Sequence, residues 1–179
     1  MLKKSKIVVA CVATLALSGA VLAGCSSAPA ASSASSQASS ASAQASSSAA
    51  TETLEIKEVT MQKCTPADTQ DAIGNDNVII LDVRKAADYE AGHIPGAVNA
   101  DMDAAKDGDN ETGVANMKAA MQKATGTDNG GDKDIILVCY SGNRYAQAAT
   151  NILAALGANM DNVLTMEGGM KAWTGDIEK

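Results

Sequence analysis

Ile135-Ile136-Leu137-Val138-Cys139-Tyr140-Ser141-Gly142-Asn143-Arg144 is an apolar run, then a cysteine, then a short polar loop. An uninterrupted, largely β-branched run is the pattern of a strand buried on both faces, as in parallel sheets. Beyond the loop, Ala149, Ile152, Leu153 and Leu156 recur at the spacing of one helical face. The spacing predicts a helix over 143–156, with Gly157 at its C-terminal stop. Cys139 therefore stands where a buried strand passes into a helix. In open α/β sheets, ligands bind beyond the carboxyl ends of strands. With Gly142 supplying backbone freedom, the loop can turn successive N–H groups inward, and the helix N-terminus behind it favours negative charge. A thiolate at Cys139 is stabilised in such a cradle, and Arg144 is a permanent cation suited to an oxyanion. The competing reading is a structural cysteine closing a core strand.

Working outward, Val78-Ile79-Ile80-Leu81-Asp82-Val83 is a second buried strand. Thr65-Pro66-Ala67-Asp68 opens a helix that runs to about Ile73 and ends at Gly74. A short helix is predicted over 86–91, a turn over 92–96 and a short strand over 97–99. Residues 101–113 read as an acidic loop, 117–123 as a short helix and 125–133 as a Gly/Asp/Asn loop. Asn162 to Met166 is a third strand, and Gly168-Gly169 opens a last short helix carrying Trp173. Strands alternating with helices predict an α/β domain, a mostly parallel central sheet flanked by helices and joined by right-handed crossovers.

The rest of the 179-residue chain is different in kind. Lys3, Lys4 and Lys6 precede an uncharged apolar run from Ile7 to Leu17, and Leu22-Ala23-Gly24-Cys25 follows. Residues 1–24 read as a secretory signal, too short in its apolar core for a spanning helix. The Leu-Ala-Gly-Cys tetrad resembles a bacterial lipobox. It implies lipidation of Cys25, cleavage before it, and an exported protein anchored to the cell membrane on its extracytoplasmic side; an ordinary signal peptide or uncleaved anchor is the alternative. Residues 25–51 are Ser/Ala-rich without apolar periodicity, a disordered tether, and 25 such residues span about 25–30 Å r.m.s.. Residues 52–179 form the globular domain, long enough for one core without disulfides. Without the three N-terminal lysines, eleven basic residues face 21 acidic ones, a net charge of −10. Such a surface lacks the basic footprint of a nucleic-acid binder.

Other candidates carry bland readings. Asp82 and Arg84 lie at a strand end near the expected catalytic edge as supporting residues, with Arg84 in reach of Asp88 across one helical turn. His93 is the only histidine and no metal-ligand set surrounds it, so it reads as a turn residue and no metal is expected. Cys64 reads as a structural thiol; a resolving bond to Cys139 is the alternative. Asp107-Gly108-Asp109-Asn110-Glu111 is oxygen-rich but lacks the EF-hand spacing, leaving an exposed turn. Trp173 reads as a packing aromatic.

Four motifs, in order, resemble the rhodanese-like domain family over roughly residues 55–175: Leu81-Asp82-Val83-Arg84; Tyr89 to Asn99; Cys139 to Arg144; and Glu167-Gly168-Gly169 with Ala172-Trp173. The resemblance implies a rhodanese-like three-layer sandwich and a persulfide intermediate on Cys139, with Arg144 beside it. The N–H groups of Tyr140, Ser141, Gly142, Asn143 and Arg144 would then cradle the sulfur. It implies a monomeric sulfurtransferase without cofactor, taking sulfane sulfur from a small donor such as thiosulfate to a thiol or cyanide. Related phosphatases separate Cys and Arg by five residues; here four intervene, a tighter ring that suits one sulfur atom better than a phosphate. Position 140 is Tyr where many thiosulfate-specific members carry a basic residue. A non-turnover persulfide carrier serving a membrane-associated partner is the second reading, and a thiol-oxidation sensor using Cys64 the third.

Overall fold

The computed structural model describes residues 54–179. The signal over 1–24, lipidation at Cys25 and the tether over 25–51 lie outside the described residues. Among those described, five strands form one parallel sheet: β1 (Gln62–Cys64), β2 (Val78–Asp82), β3 (Val98–Asn99), β4 (Asp134–Val138) and β5 (Val163–Met166), in the spatial order β1-β5-β4-β2-β3. The central strands β2 and β4 are the two apolar runs, paired Ile79 to Ile135 through Leu81 to Leu137. The helices are α1 (Pro66–Ala72), α2 (Ala86–Ala91), α3 (Asn110–Thr125) and α4 (Arg144–Ala155), with single 3-10 turns at Ala105–Asp107, Met160–Asn162 and Gly169–Lys171.

Strand alternation divides the core in two. Ile79, Leu81, Val83, Ile135, Leu137, Cys139 and Val163 face Met117, Met121, Ala149, Ile152 and Leu153 of α3 and α4. Ile80, Ile136, Val138, Cys64 and Met166 face Ala72, Ile73, Tyr89, Ile94 and Trp173. This is the expected α/β sandwich: helices, sheet, helices. The start of α1 is a capping box: the Asp68 amide donates to Thr65 Oγ1 (3.2 Å) and the Thr65 amide to Asp68 Oδ2 (2.8 Å).

Three expectations need correction. The 101–113 loop is only partly a loop: it contains the Ala105–Asp107 turn, and its last residues already belong to α3, which spans 16 residues instead of seven. Asp109 caps that helix through the Thr112 amide (3.1 Å). Strand β1 was not anticipated; its exposed Gln62 and Lys63 show no apolar alternation, as befits a short charged edge. The last helix is a single 3-10 turn, and Trp173 follows it, donating from Nε1 to the Asp176 carbonyl (3.0 Å).

Candidate active site

Cys139 leaves β4 at its carboxyl end as a free thiol, and only 1% of the residue's surface is exposed. The Gly142 amide donates to Cys139 Sγ at 3.1 Å. Two features bend the loop to allow this. Gly142 has φ +73, a left-handed conformation natural to glycine, and a Cβ there would stand 2.8 Å from the Met166 carbonyl oxygen. On the other side, the Met170 and Lys171 amides donate to the Cys139 and Tyr140 carbonyls at 2.7 and 3.1 Å. Carbonyls engaged outward leave amides free to turn inward. Gly169 makes that grip possible: a Cβ at this position would lie 2.2 Å from the Cys139 carbonyl oxygen and 2.6 Å from the Ser141 nitrogen. The Glu167-Gly168-Gly169 motif is thus the backing plate of the cysteine loop.

The loop's remaining residues are distributed unevenly. Asn143 Nδ2 donates to Ser141 Oγ (3.4 Å), and the Asn143 carbonyl accepts the Gln147 amide (2.8 Å) at the start of α4. The Arg144 side chain is 73% exposed, and its guanidinium pairs with Asp107 at 3.1 Å. It is committed to a carboxylate on the neighbouring 3-10 turn.

Asp82 and Arg84 form a buried pair at the end of β2. Arg84 Nη2 lies 2.6 Å from Asp82 Oδ2, Nε donates to both carboxylate oxygens at 3.0 Å, and Nη2 also reaches the Gly92 carbonyl at 2.8 Å. Burial, the largest single influence, would lower the guanidinium pKa; the bond to Asp82 together with the charges of Asp82, Tyr140 and Asp88 offsets it and holds the group above its ordinary value. Asn99 Nδ2 donates to the Asp82 and Arg84 carbonyls (2.9 and 3.0 Å), tying β3 to the same corner. The pairing of Arg84 with Asp88 does not form, because the Asp88 carboxylate accepts the Tyr140 hydroxyl instead.

Tyr140 and Tyr145 were not foreseen as a unit. Their rings meet edge to face with centroids 5.0 Å apart, and Arg84 lies 5.9 Å from the Tyr140 ring centre. Burial and the bond to Asp88 push the Tyr140 hydroxyl up to about 12. Tyr145 donates to Asp103 at 2.6 Å and is raised too, by burial first and then by that carboxylate. The hydroxyl of Tyr145 is in turn the largest influence holding Asp103 below the usual carboxylate range. In sequence, the only cue was that Tyr145 follows Arg144 directly.

His93 is buried, stacked on Tyr89 at 3.7 Å, with Nδ1 2.9 Å from the Tyr89 carbonyl and Nε2 3.4 Å from Glu178 Oε1. Cys64 is also free; its Sγ lies 3.7 Å from Thr69 Oγ1, and burial pushes its thiol up. The two thiols belong to core clusters on opposite faces of the sheet. Within the oxygen-rich stretch, Asp107 serves Lys106 and Arg144 while Asp109 caps α3.

A family model described as "Rhodanese-like domain" matches residues 65–176. The chain belongs to the rhodanese-like domain family. Similar curated proteins include the thiosulfate sulfurtransferase GlpE of Pseudoalteromonas translucida, 31% identical over 110 residues that cover 60% of this chain and 83% of the relative. GlpE of Pseudomonas savastanoi pv. phaseolicola is 25% identical over 115 residues, covering 64% and 90%. Among solved structures, the rhodanese-like domain of the Alr3790 protein from Anabaena sp. superposes with a TM-score of 0.48 at 22% identity, over 66% of this chain and 80% of that one. In this rhodanese-like domain, Cys139 occupies the strand-end loop singled out by the sequence motif.

Proposed function

We propose that this rhodanese-like domain is a sulfurtransferase whose Cys139 carries sulfane sulfur as a persulfide. One observation carries the reading: the Gly142 amide 3.1 Å from Cys139 Sγ, in a loop at the carboxyl end of β4. A backbone N–H aimed at Cys139 Sγ gives sulfur bound there a hydrogen-bond partner within the loop. The thiosulfate sulfurtransferases among its relatives support the reaction class.

In the first half-reaction the Cys139 thiolate attacks the outer sulfur of a sulfane donor. The donor S–S bond breaks as the new one forms, and sulfite or a thiolate leaves with the bonding pair. In the second, cyanide or a thiolate attacks the outer sulfur of Cys139–S–S⁻ and restores the thiolate. Each half is a two-electron displacement between anions, so no general base is required, and the sequence is covalent ping-pong catalysis. Because the thiol is nearly buried, the loop must yield locally as the donor sulfur enters; the same enclosure shields the persulfide from water.

The test is intact-protein mass spectrometry before and after exposure to thiosulfate and, in parallel, to a hydropersulfide. A gain of one sulfur, absent in Cys139→Ser and discharged by cyanide with steady turnover, is expected. No added sulfur from either donor overturns the reading; loading without turnover makes the domain a carrier instead of an enzyme.

We further propose that Cys25 is lipidated after removal of residues 1–24 and that residues 25–51 tether the domain outside the cell membrane. Incorporation of an alkynyl fatty acid that is lost in Cys25→Ala is the expected result, and label retained by that variant refutes the anchor.

A further inference from the structure

Three cations near the cysteine loop, Lys85, Lys106 and Arg144, are paired with carboxylates on the segment that follows β3. Lys85 lies 3.4 Å from Asp103, Lys106 lies 3.2 Å from Asp103 and also contacts Asp107, and Arg144 lies 3.1 Å from Asp107. Arg84 is taken up by Asp82 inside the fold. The exposed Lys171, whose amide holds the Tyr140 carbonyl, makes no ion pair among the described residues. On the side where β2, β3 and α4 converge, Lys85, Lys106 and Arg144 are thus all held in ion pairs, while Lys123, beside Ala86, Asn99 and Asp101, makes none among the described residues. That side also presents two aromatic rings, Tyr140 and Tyr145, each with its hydroxyl given to a carboxylate.

Thiosulfate brings two negative charges and releases a sulfite dianion, so its use depends on cations that are free to meet it. Resting on the sulfur-transfer reading above, we propose that Asp103 and Asp107 set donor specificity. By holding Lys85, Lys106 and Arg144 in ion pairs, they disfavour dianionic thiosulfate and leave the tyrosine-walled side to organic hydropersulfides. With such a donor, the Cys139 thiolate attacks the outer sulfur of R–S–SH. The S–S bond of the donor breaks, R–S⁻ leaves with the electron pair, and Cys139–S–SH forms with the proton still on the transferred sulfur. The reacting group then carries at most one charge, and the organic part R packs on the aromatic edges.

The full chain and its Asp107→Asn and Asp103→Asn variants are assayed with thiosulfate and with 2-hydroxyethyl hydropersulfide, an R group without charge. The unsubstituted chain is expected to use the hydropersulfide with a kcat/KM more than about tenfold above that for thiosulfate. Asp107→Asn is expected to raise kcat/KM for thiosulfate by about three- to tenfold at low salt, as one uncovered charge near a surface does. The gain should shrink as ionic strength rises, while the hydropersulfide value stays within about twofold. Asp103→Asn should move in the same direction, with Lys85 and Lys106 released. A parent chain that prefers thiosulfate, or variants that change both donors equally, overturns the proposal while leaving sulfur transfer intact. If neither donor adds sulfur to Cys139 in the parent chain, it is the sulfur-transfer reading that fails.

Discussion

At the scale of single residues, the site depends on atoms that are absent as much as on those present. Gly169 has no Cβ, and that vacancy lets the 3-10 turn lie directly against the Cys139 and Ser141 backbone. Its φ of +56 adds a conformation most side chains avoid. Alanine here meets backbone atoms at 2.2 and 2.6 Å, which cannot be relieved by rotating a side chain. Gly169→Ala is therefore expected to abolish sulfur loading on Cys139, by mass spectrometry, while the far-ultraviolet circular dichroism stays native. Thr165 is the opposite case: a polar atom without a use. It sits 1% exposed in β5, and its Oγ1 has no hydrogen-bond partner among the described residues. A buried, unpaired hydroxyl costs on the order of 1–3 kcal/mol, and an isosteric apolar replacement removes that cost. Thr165→Val is expected to stabilise the domain by about 1 kcal/mol in urea unfolding; a loss of stability would show that the hydroxyl is satisfied.

At the scale of elements, Gly113 explains why the longest helix was the least legible. A glycine at the end of the acidic 101–113 stretch reads as loop, yet it lies inside α3 and marks the close approach of that helix to its neighbours. A Cβ there would stand 2.5 Å from Ala105 Cβ and 2.7 Å from Ile152 Cδ1. Alanine would gain about 1 kcal/mol of helix propensity, but overpacking costs about 1–3 kcal/mol. Since Ala105 Cβ cannot move aside without its backbone, Gly113→Ala is expected to lower the thermal midpoint despite its better propensity. Elsewhere the sequence was easier to read where burial and pattern agree. β2 and β4 are unbroken apolar runs, α1 announces itself with Thr65, Pro66 and Asp68, and the loop from Cys139 to Arg144 has both a strand before it and a helix after it. The site was legible to the same degree. The Cys139 position follows from one strand and one loop. The partners of Arg144 and Tyr140 depend on Asp107 and Asp88, 37 and 52 residues away, and no local spacing encodes those distances.

At the scale of the whole domain, acidity and titration act together. Asp68, Asp103, Asp107, Asp109 and Asp128 are all held below the ordinary carboxylate value of 3.8, by bonds from Thr65, Tyr145, Lys106, Thr112 and Gln122 respectively. A lowered carboxyl stabilises the fold above its unfolded value, and that stability is lost as pH falls through the folded one. The acid limb of the stability curve therefore begins below about pH 4. The alkaline limb has the opposite origin. Cys64, Tyr89, Tyr140 and Tyr145 are raised, each chiefly by burial, so the folded chain keeps protons that the unfolded chain has already released. Stability must then fall as pH rises above the ordinary values, 9.0 for the thiol and 10.0 for the phenols, until the folded groups titrate as well. Tyr140 contributes to this slope between pH 10 and about 12. Tyr140→Phe removes that contribution together with the bond to Asp88. The variant is expected to be less stable than the parent near pH 7 but to lose stability less steeply above pH 10, so that two urea-unfolding series against pH converge. Parallel curves would mean that the phenol titrates alike in the folded and unfolded chains, and that Asp88 does not hold it.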